Sequence, residues 1–209
     1  MRTHCYALLS KGAEADIYHT VWYGNKAISK VRTEKPYRQK LLDYEIRKNR
    51  TVREATMLSI AKGVGIRTPF VYFVDPIATE IVMEFIEGES VKKKINQDLA
   101  LQMGKCAGLL HINNIVHSDL TTSNFIKVKN NRLVLLDFGL AFFSERLEDK
   151  AVDIRLVKEV LYSSYVSIYD KAFSKFLEGY SSVVGQKTSQ ATLRKVREIE
   201  LRGRYSRII

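Results

Sequence analysis

Four residues define the chemistry open to this chain: Lys30, Asp119, Asn124 and Asp137. Phosphoryl transfer asks little covalent work of a protein. It needs positive charge on the phosphates, a metal-binding acid and a carboxylate near the acceptor. Lys30 closes the run Ala27-Ile28-Ser29-Lys30, which matches the V-A-I-K pattern of a strand lysine holding α- and β-phosphates. Taken alone it reads equally as a surface lysine at a strand end. His117-Ser118-Asp119-Leu120-Thr121-Thr122-Ser123-Asn124 has the spacing H-x-D-x-x-x-x-N. There the aspartate orients or deprotonates an attacking hydroxyl, and the asparagine ligates magnesium. Asp137-Phe138-Gly139 follows thirteen residues after Asn124, at a strand end, where a carboxylate bridges a metal to the β- and γ-phosphates. Either motif alone is an ordinary turn; their order, spacing and context together carry the reading.

Two further features belong to this group. Glu54 falls in the helix after Lys30 and is the expected ion-pair partner that orients it, with Glu45 as the alternative. Thr51-Val52-Arg53-Glu54 also fits a capping box. The ion pair is preferred because it explains a carboxylate beside an apolar face in so basic a region. Read against the phosphate-cradling pattern G-x-G-x-x-G-x-V, Ser10-Lys11-Gly12-Ala13-Glu14-Ala15-Asp16-Ile17 keeps only the middle glycine. Ser10 and Ala15 stiffen such a loop, and Glu14 brings negative charge towards the phosphates. A plain strand-to-strand turn is the other reading.

The elements that must position these residues change character along the chain. Ile17 to Tyr23 and Lys26 to Val31 read as strands about a Gly24-Asn25 turn. Nine Lys/Arg against three acids follow between Lys30 and Arg53. Val52, Ala55, Leu58 and Ala61 recur at helical spacing up to Gly63. Phe70 to Val74 and Ile77 to Phe85 read as strands about Asp75-Pro76. Beyond Gly88, Leu99, Met103, Cys106 and Leu110 predict an amphipathic helix ending near Asn113-Asn114. Phe125 to Val128 and Leu133 to Leu136 flank a short hairpin at Asn130-Asn131, and Asp153 to Gly179 is helical. The expectation is an α+β fold, a small antiparallel β lobe followed by a mostly helical lobe.

The chain has 209 residues, 45% of them apolar, enough for one core or two small lobes sharing a cleft. No stretch approaches the roughly 18 apolar residues of a membrane helix. The residues around Arg2, His4, Ser10 and Lys11 form no signal-peptide apolar block. Cys5 and Cys106 make no CxxC and are expected as buried thiols in a reducing, cytoplasmic setting. The net charge of +11 points to polyanionic partners such as nucleotides, RNA or an acidic protein. The last sixteen residues, with Arg194, Lys195, Arg197, Arg202, Arg204 and Arg207, read as a solvated helix face or as an RNA-facing tail. The second reading is preferred, since six clustered cations suit phosphate contacts.

Lys11-Gly12-Ala13-Glu14-Ala15, Met83-Glu84-Phe85-Ile86-Glu87-Gly88, the stretch from His117 to Asn124 and Asp137-Phe138-Gly139-Leu140 resemble the Bud-thirty-two family, over essentially the whole chain. This is the small atypical kinase of the KEOPS (EKC) complex, with RIO-type kinases the nearest relatives by pattern. The resemblance implies a protein-kinase-like bilobal fold with a reduced C-lobe, residues 1–85 forming the N-lobe, 86–193 the C-lobe and 194–209 a basic tail. It implies ATP and magnesium as cofactors, serine/threonine kinase and ATPase activity, and support of threonylcarbamoyladenosine formation on tRNA. The implied partners are the carbamoyl-transferring subunit, the other KEOPS subunits and tRNA, with no membrane.

By position, Asp119 is the catalytic base with Lys30, and Asn124 and Asp137 are the magnesium ligands. Leu9, Gly12, Ala13, Glu14, Ala15, Ile17, Lys30, Glu54, Met83, Glu84 and Phe85 are implied to hold the nucleotide. The resemblance also implies Met83 as the gatekeeper, with Glu84 and Phe85 offering backbone hydrogen bonds to adenine. Arg202 and Arg204 are implied to meet tRNA or a partner.

The departures from a conventional kinase favour an ATPase. Ser118 replaces the arginine of H-R-D, which removes the usual receiver of a phosphorylated activation loop. No A-P-E follows Asp137, because Pro36, Pro69 and Pro76 are the only prolines. The short stretch after Gly139 is expected to lack a full peptide-docking lobe. A free-standing RIO-like protein kinase and a nucleotide-binding scaffold without turnover are the alternatives. A small-molecule phosphotransferase of the aminoglycoside type is a minor one, since it calls for an acidic balance.

Overall fold

Tyr23 and Gly24 take positive φ, 45° and 81°, the pair of left-handed residues a two-residue hairpin turn requires. The computed structural model describes residues 7–205, the side chains of 203–205 excepted. The turn joins the second and third of three strands, β1 (Ala7–Lys11), β2 (Ala15–Trp22) and β3 (Asn25–Arg32). A long helix, α1 (Lys40–Gly63), is followed by β4 (Val71–Asp75) and β5 (Glu80–Glu84). The five strands form one antiparallel sheet in the order β1-β2-β3-β5-β4, with Lys30 paired to Ile17 on one side and Ile81 on the other.

Past Glu84 the chain crosses to the helical side. There β6 (Glu89–Ser90), α2 (Gln97–Ile112), β7 (Ile115–Val116), β8 (Phe125–Val128), β9 (Arg132–Leu135) and β10 (Phe142–Phe143) precede three helices. These are α3 (Leu147–Ser164), α4 (Tyr169–Val184) and α5 (Gln186–Tyr205). β6, β8 and β9 form a small sheet, and β7 pairs with β10 beneath the loop that carries Asp119.

Three expectations change. α1 begins twelve residues before the apolar period at Val52, its polar first half tied by Arg47 Nε to Asp43 Oδ2 at 2.7 Å. Thr51 is therefore mid-helix, and its hydroxyl donates to the Arg47 carbonyl at 2.8 Å instead of capping. The single helical run expected from Asp153 to Gly179 is broken at Tyr165, whose hydroxyl donates to the Lys92 carbonyl at 2.9 Å and meets Thr122 Oγ1 at 3.1 Å. The stretch expected as a basic tail continues α5 as far as Tyr205; residues 206–209 and Cys5 lie outside the described residues. Cys106 is a free thiol on α2, and burial pushes it up to about 12.

The helical core rests on a close crossing of α2 and α4. A Cβ at Gly104 would stand 1.9 Å from the Phe176 carbonyl oxygen, and one at Gly179 would stand 2.0 Å from that of Leu101. Phe176, Tyr180, Met103 and Leu110 are buried around this contact. Among the described residues no helix is long and apolar enough to cross a membrane.

Gly104→Ala is expected to cost about 2–3 kcal/mol, because a helix backbone cannot yield as a side chain does. Thermal unfolding followed by circular dichroism should show a Tm lower by roughly 5–10 °C. Gly63→Ala, where a Cβ meets nothing within 4 Å, should leave Tm nearly unchanged.

Candidate active site

Side chains two apart on a strand share a face, so Ile28, Lys30 and Arg32 of β3 stand in one row. Each lines one or both of two adjoining cavities. Lys30 Nζ lies 2.6 Å from Glu54 Oε1 and 2.8 Å from Asp137 Oδ1. The second Glu54 oxygen takes Arg32 Nη2 at 2.5 Å, so one carboxylate on α1, 1% exposed, bridges two strand cations. Glu45, the alternative partner, is exposed; nine residues away, about two and a half turns, it faces the opposite side of α1.

Burial alone would lower Lys30, but the Glu54 and Asp137 carboxylates outweigh it and hold the ammonium above its ordinary value. Burial raises Glu54, with Asp137 adding to the rise, while Lys30 and Arg32 pull it back. Those two cations, within 2.6 Å of its oxygens, are the charges that stabilise its ionised form. Asp137 feels burial first too, yet Lys30 and the Gly139 amide hold its carboxyl below the ordinary range.

The loop from His117 to Asn124 hangs from a carboxylate the sequence did not mark. Asp153 on α3 is fully buried and accepts the His117 and Ser118 amides at 2.8 Å each, with His111 Nε2 at 3.3 Å. The two loop amides diverge enough to need both of its oxygens, and Ser118 takes a left-handed φ of 65° at that point. Burial lowers the His117 pKa and keeps the ring neutral. Its Nε2–H donates to the Leu136 carbonyl at 3.1 Å while Nδ1 accepts the Asp119 amide at 3.3 Å. The same ring stands edge-on to Phe138 at 4.8 Å, tying the two motifs together. Asn124 Nδ2 donates to both the carbonyl and Oδ2 of Asp119 at 2.8 Å, fixing the two side chains as a pair. Asp137 itself sits at φ 54°, where its Oδ1 accepts the Gly139 amide at 3.2 Å and meets Lys30.

The turn between β1 and β2 closes over these groups. Gly12 N–H donates to the Ala15 carbonyl at 3.0 Å, and a Cβ on Gly12 would stand 2.6 Å from that oxygen, so this turn needs glycine. Glu14 Oε1 takes Arg50 at 2.6 Å, Oε2 lies 3.4 Å from Arg32, and Lys35 bonds the Ala13 carbonyl. Burial opposes the Glu14 charge, but Arg50 and then Arg32 outweigh it and hold the carboxyl below its ordinary value.

A charged cavity of about 340 Å³ lies under this turn, lined by Gly12, Ala13, Glu14, Ala15, Arg32 and Asp119 among others. A more apolar slot of about 560 Å³ adjoins it, lined by Leu9, Ile28, Glu54, Met83, Glu84, Phe85, Asn124 and Leu136. The two share Ser10, Ile17, Lys30 and Asp137. Every residue expected from the sequence to hold a nucleotide, a metal or the reacting groups thus borders one or the other.

One expectation narrows. The Glu84 and Phe85 amides donate to the carbonyls of Phe70 at 2.8 Å and Lys26 at 3.3 Å, so sheet pairing has already engaged them. Of the basic pair near the chain end, Arg202 Nη1 is paired with Glu148 Oε1 at 2.9 Å on the start of α3 and lines neither cavity. The Arg204 side chain lies outside the described residues.

Arg32 and Asp153 are the residues sequence reasoning missed. Strand alternation two residues past Lys30 could have found Arg32; nothing local marks Asp153. Arg32 Nε is buried and has no hydrogen-bond partner among the described residues.

The residues present suit a magnesium nucleotide. Among the described residues no three His, Cys, Asp or Glu side chains gather to hold a metal by themselves. Asn124 and Asp137 suit an octahedral cation whose shell phosphate oxygens complete.

No protein-family model matches the chain. It is 38% identical over 211 residues to the KEOPS complex subunit Bud32 of Pyrococcus abyssi, covering 95% of this chain and 96% of that protein. It is 39% identical over 200 residues to a probable bifunctional tRNA threonylcarbamoyladenosine biosynthesis protein of Methanothermobacter thermautotrophicus. That match covers 95% of this chain but 36% of the relative, so the chain spans little more than a third of such proteins. Among solved structures, the Rio2 kinase–ADP/Mg2+–phosphoaspartate complex of Chaetomium thermophilum superposes with a TM-score of 0.65 at 13% identity. It covers 90% of this chain and 70% of that one, a likeness that shows a protein-kinase-like α+β fold.

Glu54→Ala leaves Lys30 and Arg32 without their shared carboxylate and should destabilise the protein by about 3–5 kcal/mol. Glu54→Gln, which keeps the shape and one acceptor, should cost less; urea unfolding measures both. Asp137 is held below its ordinary 3.8, so its contribution to stability is complete above that pH and fades as pH falls through the folded value. Acid unfolding of Asp137→Asn should accordingly depend less on pH than that of the wild type, from about pH 4 downward.

Proposed function

The chain belongs to the family of the KEOPS complex subunit Bud32, and from that premise we propose that it binds ATP with magnesium and transfers or hydrolyses the γ-phosphate in support of threonylcarbamoyladenosine formation on tRNA. The observation that carries this reading is one cluster: Lys30 Nζ within 2.8 Å of both Glu54 and Asp137, beside Asn124 bonded to Asp119. A site that only recognised a nucleotide has no need of a carboxylate fixed at the far end of the phosphate cavity.

In this reading the base enters the apolar slot between Ile17, Ile28 and Leu136, with Met83 at its back. With the Glu84 and Phe85 amides engaged in the sheet, the polar edge of the base would be met by other backbone groups of residues 84–86, which line the slot. Lys30 meets the α- and β-phosphates, held charged by Glu54. Arg32 adds a second cation on the same strand face, at the border of the charged cavity. Magnesium, when bound, neutralises charge on the β- and γ-phosphate oxygens, and Asn124 and Asp137 are the residues that would hold it. Asp119 orients the attacking hydroxyl or water and accepts its proton, kept in place by Asn124 and the neutral His117.

Ser118 stands where a conventional kinase has arginine, so activity answers to partners and RNA, not to a phosphorylated loop. The chain works in the cytoplasm as one atypical kinase domain whose lobes divide near residue 85. It acts beside the carbamoyl-transferring subunit, the other subunits of the complex and tRNA, which Arg202 and Arg204 help to contact.

The test is magnesium-dependent phosphate release from ATP by the purified chain, alone, with total tRNA, and with the partner subunit. Release should rise with the additions, vanish in Asp137→Ala, and fall about 10²–10⁴-fold in Asp119→Ala. No release under any condition, with both variants still assembling normally, would leave a scaffold.

A further inference from the structure

We propose that a basic groove behind the segment joining the two halves of the molecule docks an RNA strand, its phosphates on Arg67, Lys129 and Arg132 and an unstacked base on Tyr72. Residues 84–86 form one wall of the apolar slot; their other side borders a separate cavity of about 620 Å³. Five cations converge there from separate parts of the chain: Lys26 on β3, Lys62 and Arg67 around the end of α1, and Lys129 and Arg132 at the β8–β9 hairpin.

Only two carboxylates share the groove, and both are engaged. Glu84 Oε2 accepts the Phe70 amide at 3.0 Å. Glu87 is paired with Lys26, which holds its carboxyl below the ordinary range with help from Lys129. Lys62 Nζ donates to the Thr68 carbonyl at 2.6 Å. That leaves Arg67, Lys129 and Arg132, all exposed and, among the described residues, paired with no carboxylate. Three like charges brought together by folding, outnumbering the carboxylates beside them and with no ion pair of their own among the described residues, repel one another, and a polyanion relieves that cost.

Charge alone would suit an acidic peptide equally well. The aromatic wall favours RNA. Tyr72 lines the same cavity, and the ring of Phe70, 54% exposed, stands 5.5 Å from it. Aromatic faces interleaved with arginine forks match a single-stranded or looped ribose-phosphate chain, whose bases stack while its phosphates take bidentate contacts.

The groove is also bonded to the chemistry. The Arg67 carbonyl accepts the Leu135 amide at 2.8 Å, and the Leu136 amide donates to the Asn124 carbonyl at 2.8 Å. RNA in the groove and nucleotide in the slot would therefore meet across one shared segment, 84–86, while Arg67 is bonded to the strand that runs on to Asp137.

This inference rests on the RNA-linked reading above but requires no catalysis, so binding alone tests it. Fluorescence anisotropy of labelled total tRNA would be followed across a salt series for the full chain, the combined Arg67→Glu, Lys129→Glu, Arg132→Glu variant, its alanine counterpart, and Arg202→Ala. The expected result is affinity weakened about tenfold or more by the reversal, with the salt slope of log K smaller by about 2–3 in both triple variants. ATP affinity measured without RNA should be unchanged. Wild-type affinity and slope in both triple variants, with Arg202→Ala carrying the loss, would overturn the groove and leave the RNA reading standing. A wild-type chain that binds no tRNA overturns both. Triple variants that keep tRNA but lose an acidic protein partner would reassign the groove to that partner.

Discussion

The cleft depends on one buried carboxylate. Glu54 presents one oxygen to Lys30 and the other to Arg32, and through them α1 is held against the face of β3 that borders both cavities. Isolated, a charge so buried would be untenable; between two cations it is the least costly way to keep three ionised groups beside a core. Asp137 joins from the helical side at 2.8 Å, completing a cluster in which each charge is answered by an opposite one. Such a cluster is organised to receive further charge. The phosphates and divalent cation of the proposed ligand would bring both signs together, so the groups could exchange partners without leaving any of them alone.

A second buried carboxylate does comparable work across the cleft. Asp153 spends both oxygens on loop amides, and the His117 ring, neutral and fixed in one tautomer, spans from the Leu136 carbonyl to the Asp119 amide. The backbone around Asp119 is therefore set by buried side chains that hold its loop amides, and the Asp119 carboxylate by Asn124 Nδ2. Ser118 can take the left-handed backbone there because its small side chain asks for no binding pocket of its own.

Much of this was legible in the residues, and the rest was hidden for identifiable reasons. The Lys30, Asp119, Asn124 and Asp137 constellation was readable because its spacing is set by the local path of two loops, which sequence records directly. The hairpin between β2 and β3 was readable from Gly24, but its turn falls on Tyr23-Gly24 and not on the expected Gly24-Asn25, since Asn25 already belongs to β3. β1 was not, since all five of its residues are exposed on the sheet edge and show no period of two. The start of α1 was hidden because its first turns bury little, and an apolar period cannot mark a helix that faces water. The break at Tyr165 comes from two hydrogen bonds to distant residues, and Asp153 lies 35 residues from the amide it holds; neither leaves a local trace. The engaged amides of Glu84 and Phe85 became apparent only once strand register was known.

The glycine crossing of α2 and α4 has a mechanical consequence. Two backbones locked at that distance leave the helices no room to slide past one another. Gly88, where a Cβ would stand 2.4 Å from the Lys127 carbonyl, welds the start of this helical half to β8. The chain itself crosses from the sheet to that half once, between Glu84 and Gly88. Because Lys30, Arg32 and Glu54 all ride on the sheet side, rotation there stretches Lys30–Asp137 and leaves Lys30–Glu54 at its length. The lysine thus travels with its orienting partner already in place, and its separation from Asp137 gauges how far the jaws stand apart.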